Sequence, residues 1–206
     1  MASSRFVSHV RVWLLVSPLM LCALVPFIQN DAAFEVSDAE QASVSDWIGP
    51  ASAREAASLA NARFDRWFIQ SGALQASFAG SDADTALPDA GASEFGRGWM
   101  RRFWLTVYRA VYRATVAYHW LLGGFILFAA LLNDGAVSRK IRAAGAGFAN
   151  PVSFHVAAHG LLLCFGLGAT ALLLPVFSLM AHWWTLAVCL VGLFSWRLAA
   201  SFHVGK

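Results

Sequence analysis

His155 and His159 stand four residues apart in an apolar run, so both imidazoles leave a helix on the same face. Joined by a further histidine such as His119, the pair could ligate zinc or a haem. Two histidines make an incomplete zinc site, and no acidic or thiol residue stands beside them in the sequence. Imidazoles that hydrogen-bond between packed helices are the plainer reading, and no metal or cofactor is expected. A second constellation is Arg102, Thr106, Arg109 and Arg113, whose spacings of four, three and four line one helical stripe. Arg113 heads an apolar run, and an ionisable side chain at membrane depth is a functional suspect. Near a helix end, however, an arginine can extend its stem to the lipid headgroups, and that is the expectation here.

A third constellation is N-D-G-A-V-S-R-K-I-R-A-A-G-A-G-F-A-N-P, residues 133–151, charged and glycine-punctuated between two apolar runs. Asp134 to Ala144 reads as a short cytoplasmic helical turn, with Arg139 and Arg142 three apart on one face and Ile141 available to dock. The Gly145-Ala146-Gly147 triplet lacks the preceding strand and following lysine of a phosphate loop. It reads instead as a helix stop, with Gly145 left-handed, ahead of a new helix at Pro151. Nothing in the chain assembles a nucleophile: G-x-S-x-G is absent and the histidines have no placed carboxylates, so no enzyme is expected. Cys22, Cys164 and Cys189 lie inside apolar runs, where they are packing residues.

The elements that must position these residues belong in lipid. Of 206 residues, 58% are hydrophobic and 13% charged, against about 25% charged in soluble domains. Four segments approach the ~20 apolar residues a crossing helix needs: residues 12–28, 114–132, 152–174 and a last one from Trp183 to Arg197. The first follows Arg5 and Arg11 and reads as an uncleaved signal anchor, being long for a signal peptide. The short link between the third and fourth spans demands an antiparallel hairpin. Residues 98–114 read as an amphipathic helix at the interface that can continue into the second span. Residues 50–71 open on a proline, close at Gly72 and repeat Ala57, Ala60, Phe64, Trp67 and Phe68 at helical spacing, which predicts a helix of about 20 residues. Residues 79–93, rich in small and acidic residues, read as a linker. The predicted fold class is all-α: an integral membrane helical protein with about four transmembrane helices and a helical periplasmic segment. Its segments are 1–28, 29–97 and 98–206, with a cytoplasmic loop at 133–151.

Arginines and lysines near the spans set orientation. Arg5, Arg11, Arg139, Lys140, Arg142, Arg197 and Lys206 would share the inside, and the acidic region after Gln29 would lie outside, with both termini cytoplasmic. Arg101, Arg102, Arg109 and Arg113 argue against that assignment from the outer side without reversing it. The formal charge of +3 thus reports topology, and no direct nucleic-acid binding is expected.

Asp134-Gly135, Val137, Arg139, Ile141-Arg142, Gly145-Ala146-Gly147 and His155 resemble, in order and spacing, the D-G-x-V-x-R-x-I-R-x-x-G-A-G pattern of integrating conjugative element membrane proteins, domain of unknown function 4400. Phe68 to Gly72, F-I-Q-S-G, is similar to that family's outer-region motif, and Arg113 takes the corresponding place before the second span. The resemblance implies an inner-membrane protein encoded with the type IV secretion machinery of conjugation, and carries over no catalytic residue. The expected role is a non-enzymatic accessory or assembly component. Its partners would be the bilayer, other secretion-system subunits and a cytoplasmic ATPase, met through Asp134, Arg139, Ile141, Arg142, Gly145, Gly147, His155 and Arg113 or through the outer surface of Phe64, Trp67 and Phe68. A surface-exclusion or immunity-like protein and a haem- or metal-binding membrane protein are the alternatives.

Overall fold

The computed structural model describes residues 5–79, 91–145, 151–175 and 177–202, and these are mostly helical, joined by short turns, with no strand among them. Eight α-helices follow in order: α1 Arg5–Arg11, α2 Ser17–Leu24, α3 Asp38–Ile48, α4 Pro50–Phe64, α5 Ala73–Ala79, α6 Ala92–Ala144, α7 Pro151–Leu173 and α8 Ala181–Ser201. A widened π turn, Val12–Val16, joins α1 to α2, and another, Asp65–Ile69, extends α4. Four helical stretches are long and apolar enough to cross a membrane: Phe6–Phe27, Ser93–Ala144, Pro151–Leu173 and Ala181–Ser201. Each overlaps one of the spans read from the sequence, and the second extends well beyond the expected 114–132 at both ends.

The chain forms two compact units, each discontinuous in sequence. Unit 1 comprises Met1–Ser17, Ala117–Ala169 and His182–Lys206. Its helices meet where side chains are small. A methyl group added to Gly135 would come within 2.5 Å of the Trp196 carbonyl oxygen, and one added to Gly160 within 2.5 Å of the Phe194 ring. Close backbone approach of this kind substitutes for a hydrophobic driving force, which lipid cannot supply between apolar helices. Contacts fix the directions. Trp120 with Thr185 and Asp134 with Trp196 make α6 and α8 parallel. Gly160 with Phe194 and Phe154 with Phe202 make α7 and α8 antiparallel, as the short connection requires. His9 with His159 and Trp13 with Gly166 make the first span parallel to α7. The start of the first span, the C-terminal end of α6, the start of α7 and the end of α8 therefore share one end of this unit.

Unit 2 comprises Pro18–Val116 and Thr170–Ala181. Ser37 opens α3 by accepting a hydrogen bond from the Glu40 amide at 3.3 Å. Gly49, at φ +84, makes the sharp turn into α4, a conformation that a side chain would strain. Ala56 and Ala60 are fully buried, and Phe64 and Phe68 pack against Trp104, with centroids at 6.2 and 5.3 Å. Tyr108 donates to Asn61 Oδ1 at 2.7 Å and Trp104 to Ser77 Oγ at 2.8 Å, which ties α6 to α4 and α5.

Three expectations change. The helical turn expected from Asp134 to Ala144 is not a separate element, because α6 continues through it without a break for 53 residues, about 80 Å of helix. Gly145 does not take the left-handed conformation; its amide donates back to the Ile141 carbonyl at 3.1 Å, as in a continuing helical turn. The helix read from Gly98 begins at Ala92, so the end of the proposed linker is helical, while residues 80–90 lie outside the described residues.

Candidate functional site: a buried arginine cluster around Glu40

The stripe Arg102, Thr106, Arg109 and Arg113 keeps the helical register read from the sequence, but it faces protein. Arg109 is 2% exposed and Arg113 1%. The expectation that Arg113 reaches toward headgroups is overturned: charge inside a packed unit needs a counter-charge and acceptors, and both are supplied here.

The counter-charge is Glu40, itself 1% exposed on α3. Arg113 grips it with two parallel bonds, Nε to Oε1 and Nη2 to Oε2, each 2.8 Å, the fork geometry that only a guanidinium offers. Arg109 Nη2 reaches the same Oε2 at 3.3 Å, and the Leu179 amide donates to it at 3.1 Å. Burial alone would push the Glu40 carboxyl up; the Arg113 bonds and charge, the Leu179 amide and the Arg109 charge outweigh it and hold Glu40 below the usual carboxylate range.

Two guanidinium groups against one carboxylate leave one positive charge, and backbone carbonyls absorb it. Arg113 Nη1 donates to Ala171 at 2.5 Å and Leu174 at 2.9 Å, and its Nη2 also donates to Phe177. Arg109 Nη1 donates to Ala33 at 2.7 Å and Pro175 at 2.5 Å. Ala171 lies in the last turn of α7 and Leu174 follows it directly, where the last carbonyls have no partner within the helix and the dipole is negative. Arg113 therefore caps α7 as well as binding Glu40.

The opposite end of the connection is capped from α3. Ser37, Glu40 and Ser43 are spaced by three and form one polar face. Ser37 Oγ meets Ser178 Oγ at 3.0 Å, Glu40 accepts from Leu179, and Ser43 Oγ accepts from the amide of Ala181, the first residue of α8, at 3.0 Å. A carboxylate and a hydroxyl beside a helix N-terminus answer its free amides and its positive dipole. The turn from Leu174 to Ala181 is thus held between α3 and the arginine stripe of α6. Nearer the start of α6, Arg102 donates to the Pro26 carbonyl at 2.8 Å and to Asp31 at 3.3 Å, with Arg101 at 3.6 Å from the same carboxylate.

The sequence showed the stripe but not its partner. In sequence, Glu40 is one of several carboxylates in the acidic region after Gln29. The available signals were the S-x-x-E spacing of Ser37 and Glu40, which marks a helix start, and a line of arginines with no counter-charge of its own.

The other expected site residues do not converge on one place. Asp134 accepts from Trp196 Nε1 at 2.7 Å, Arg142 donates to the Ala200 carbonyl at 2.9 Å, and Arg139 stacks over Phe202 at 5.6 Å, all within unit 1. Of the docking face drawn there, Ile141 is 67% exposed. Gly145 sits at the end of α6, and Gly147 lies outside the described residues. His155 is exposed and packs on Phe154, whereas His159 meets His9, with Nδ1 to Nδ1 at 3.5 Å. Phe64 and Phe68 turn inward onto α6, while Trp67 and Ile69 remain at the surface. Among the described residues no three histidine, cysteine or acidic side chains gather as a metal site would require.

Four apolar helices and a charge-centred helical unit define a polytopic helical membrane protein. Residues 24–203 match the model of a family described as IncC plasmid conjugative DNA transfer protein DtrJ-like, and the chain belongs to that family. No curated protein and no solved structure matches it. Its role is in conjugative DNA transfer. The resemblance to integrating conjugative element proteins holds at that level, while the family that matches is the DtrJ-like one rather than domain of unknown function 4400.

Proposed function

We propose that the protein is a non-enzymatic accessory or assembly component of a conjugative type IV secretion system in the bacterial inner membrane, with both termini and the end of α6 cytoplasmic. The observation that carries this reading is the cluster itself: the buried charges of unit 2 pair with one another and with backbone carbonyls at helix ends, a use of charge that fixes a scaffold. Orientation rests on the shared end of unit 1. Arg5, Arg11, Arg139, Lys140, Arg142 and Arg197 belong to the helix ends gathered there, which suits the cytoplasmic side. Of the four arginines that opposed this assignment, Arg102, Arg109 and Arg113 are paired inside unit 2 and so do not act as free topological charges, while Arg101 is exposed and lies against Asp31.

In this arrangement α3 to α5 are periplasmic, and exposed Trp67 and Ile69 offer a surface to neighbouring secretion-system subunits. Exposed Ile141, at the cytoplasmic end of α6, would meet an ATPase of the transfer machinery. An in-frame deletion in the donor tests the reading through mating frequency. Transfer should fall by orders of magnitude and return with the wild-type gene supplied in the donor. Unchanged transfer from the deleted donor, together with reduced uptake when recipients express the protein, would establish surface exclusion instead.

A further inference from the structure

Unit 2 carries a cavity of about 360 Å³, within the ~300–1,000 Å³ range of small-molecule sites. Its walls come from three of the apolar membrane helices: Cys22 from the first span, Val107 and Val111 from α6, and Leu172 and Leu173 from α7. The exposed surface of this lining is almost wholly apolar. One charged side chain, Arg63 of α4, enters it, and Trp67 stands beside Arg63.

Arg63 differs from the arginines of the cluster. Its Nη1 donates to Thr115 Oγ1 at 3.0 Å, and among the described residues it has no carboxylate within ion-pairing distance. Thr115 is 1% exposed and bonded in turn to the Val111 carbonyl, so it anchors the guanidinium at the rim without neutralising it. An apolar slot between membrane helices, closed by a half-exposed indole and a guanidinium with no carboxylate partner among the described residues, suits an amphiphile with an anionic head. The fluid that bathes such helices is lipid, and tryptophan beside arginine is the pairing found at headgroup depth.

We propose that this groove holds one acyl chain of an anionic phospholipid, whose phosphate is bound by Arg63. The charge selects an anionic head over a zwitterionic one, and the apolar walls require a chain, so free phosphate does not suffice. The proposal is independent of the assignment to secretion-system assembly.

The full-length protein, extracted in mild detergent from membranes containing phosphatidylglycerol and phosphatidylethanolamine, is the sample. Bound lipid is counted by native mass spectrometry and identified after extraction. Wild type should retain one phosphatidylglycerol. Arg63→Ala, which leaves the slot open, and Ala110→Trp, which fills it from α6 while leaving the charge, should each lower occupancy by about tenfold, the loss expected for one charge-assisted contact or its steric equivalent. Arg63→Lys should retain most of it, and this variant also separates lost binding from lost folding. Equal retention of phosphatidylethanolamine and phosphatidylglycerol, undiminished occupancy in both Arg63→Ala and Ala110→Trp, or displacement of the lipid by inorganic phosphate alone would overturn the proposal.

Discussion

The two units spend polar chemistry in opposite ways. In unit 1 the helices touch through glycine, and polar groups form single bonds near helix ends, such as Asp134 with Trp196 and Arg142 with Ala200. In unit 2 the charges are central. Glu40, Arg109 and Arg113 are all buried, and the backbone ends of α7 and α8 are organised around them. The difference teaches that an arginine on a membrane-protein helix is a topology signal only while it is free. Once paired inside a unit, it reports packing.

The strongest way to break the contrast is to remove the carboxylate. Glu40→Ala leaves Arg109 and Arg113 buried beside each other and should destabilise unit 2 by about 3–5 kcal/mol. A marked fall in the detergent unfolding temperature checks this, and retention of the wild-type temperature would mean that the pair contributes no stability.

Acid sharpens the same point. The Glu40 carboxyl is held below its ordinary value in the folded protein, so its contribution is complete above the unfolded pKa of about 4.3 and is lost as pH falls below that toward the folded value. Unfolding temperature should therefore be nearly flat from neutral pH down to about 5 and drop below about 4. In Glu40→Gln, already destabilised, the drop should be shallower.

The counterpart in unit 1 is Gly135→Val, which drives carbon into the Trp196 carbonyl and should cost about 1–3 kcal/mol by overpacking. Its unfolding curve should keep the acid dependence of wild type, since the cluster is intact. The smallest effect is expected for Ser43→Ala, which removes the hydroxyl acceptor of the Ala181 amide and should cost about 1 kcal/mol. Hydrogen exchange at Ala181 should quicken, with little change elsewhere.

The spans were legible because crossing lipid demands long apolar runs, and the outer helix because Pro50 and Gly72 bound a helical pattern. The register of the arginine stripe was legible for the same periodic reason. Its environment was not, since Glu40 lies 73 residues from Arg113 and the local signals, a helix start at Ser37 and a line of arginines, do not point to each other. The continuity of α6 through Asn133, Asp134 and Gly135 was hidden too. Those residues favour a turn in isolation, but here the glycine admits α8 and the aspartate binds Trp196, so tertiary contact overrides local preference. The outward face of Phe64, Trp67 and Phe68 was misjudged because helical spacing groups the three, whereas the π turn at Asp65–Ile69 separates Trp67 from its inward neighbours.

The seat for the turn at Leu174 to Ala181 is made of residues that precede it in the chain: Ala33, Ser37, Glu40 and Ser43, then Arg109 and Arg113. A ribosome therefore delivers the whole receptor before it delivers what the receptor grips. The turn between α7 and α8 arrives after its seat, and its docking supplies the backbone carbonyls that two mutually repelling guanidinium groups and their single counter-ion leave wanting. A nascent chain stopped short of residue 171 would keep that joint open, with Arg113 still lacking the carbonyls of Ala171, Leu174 and Phe177.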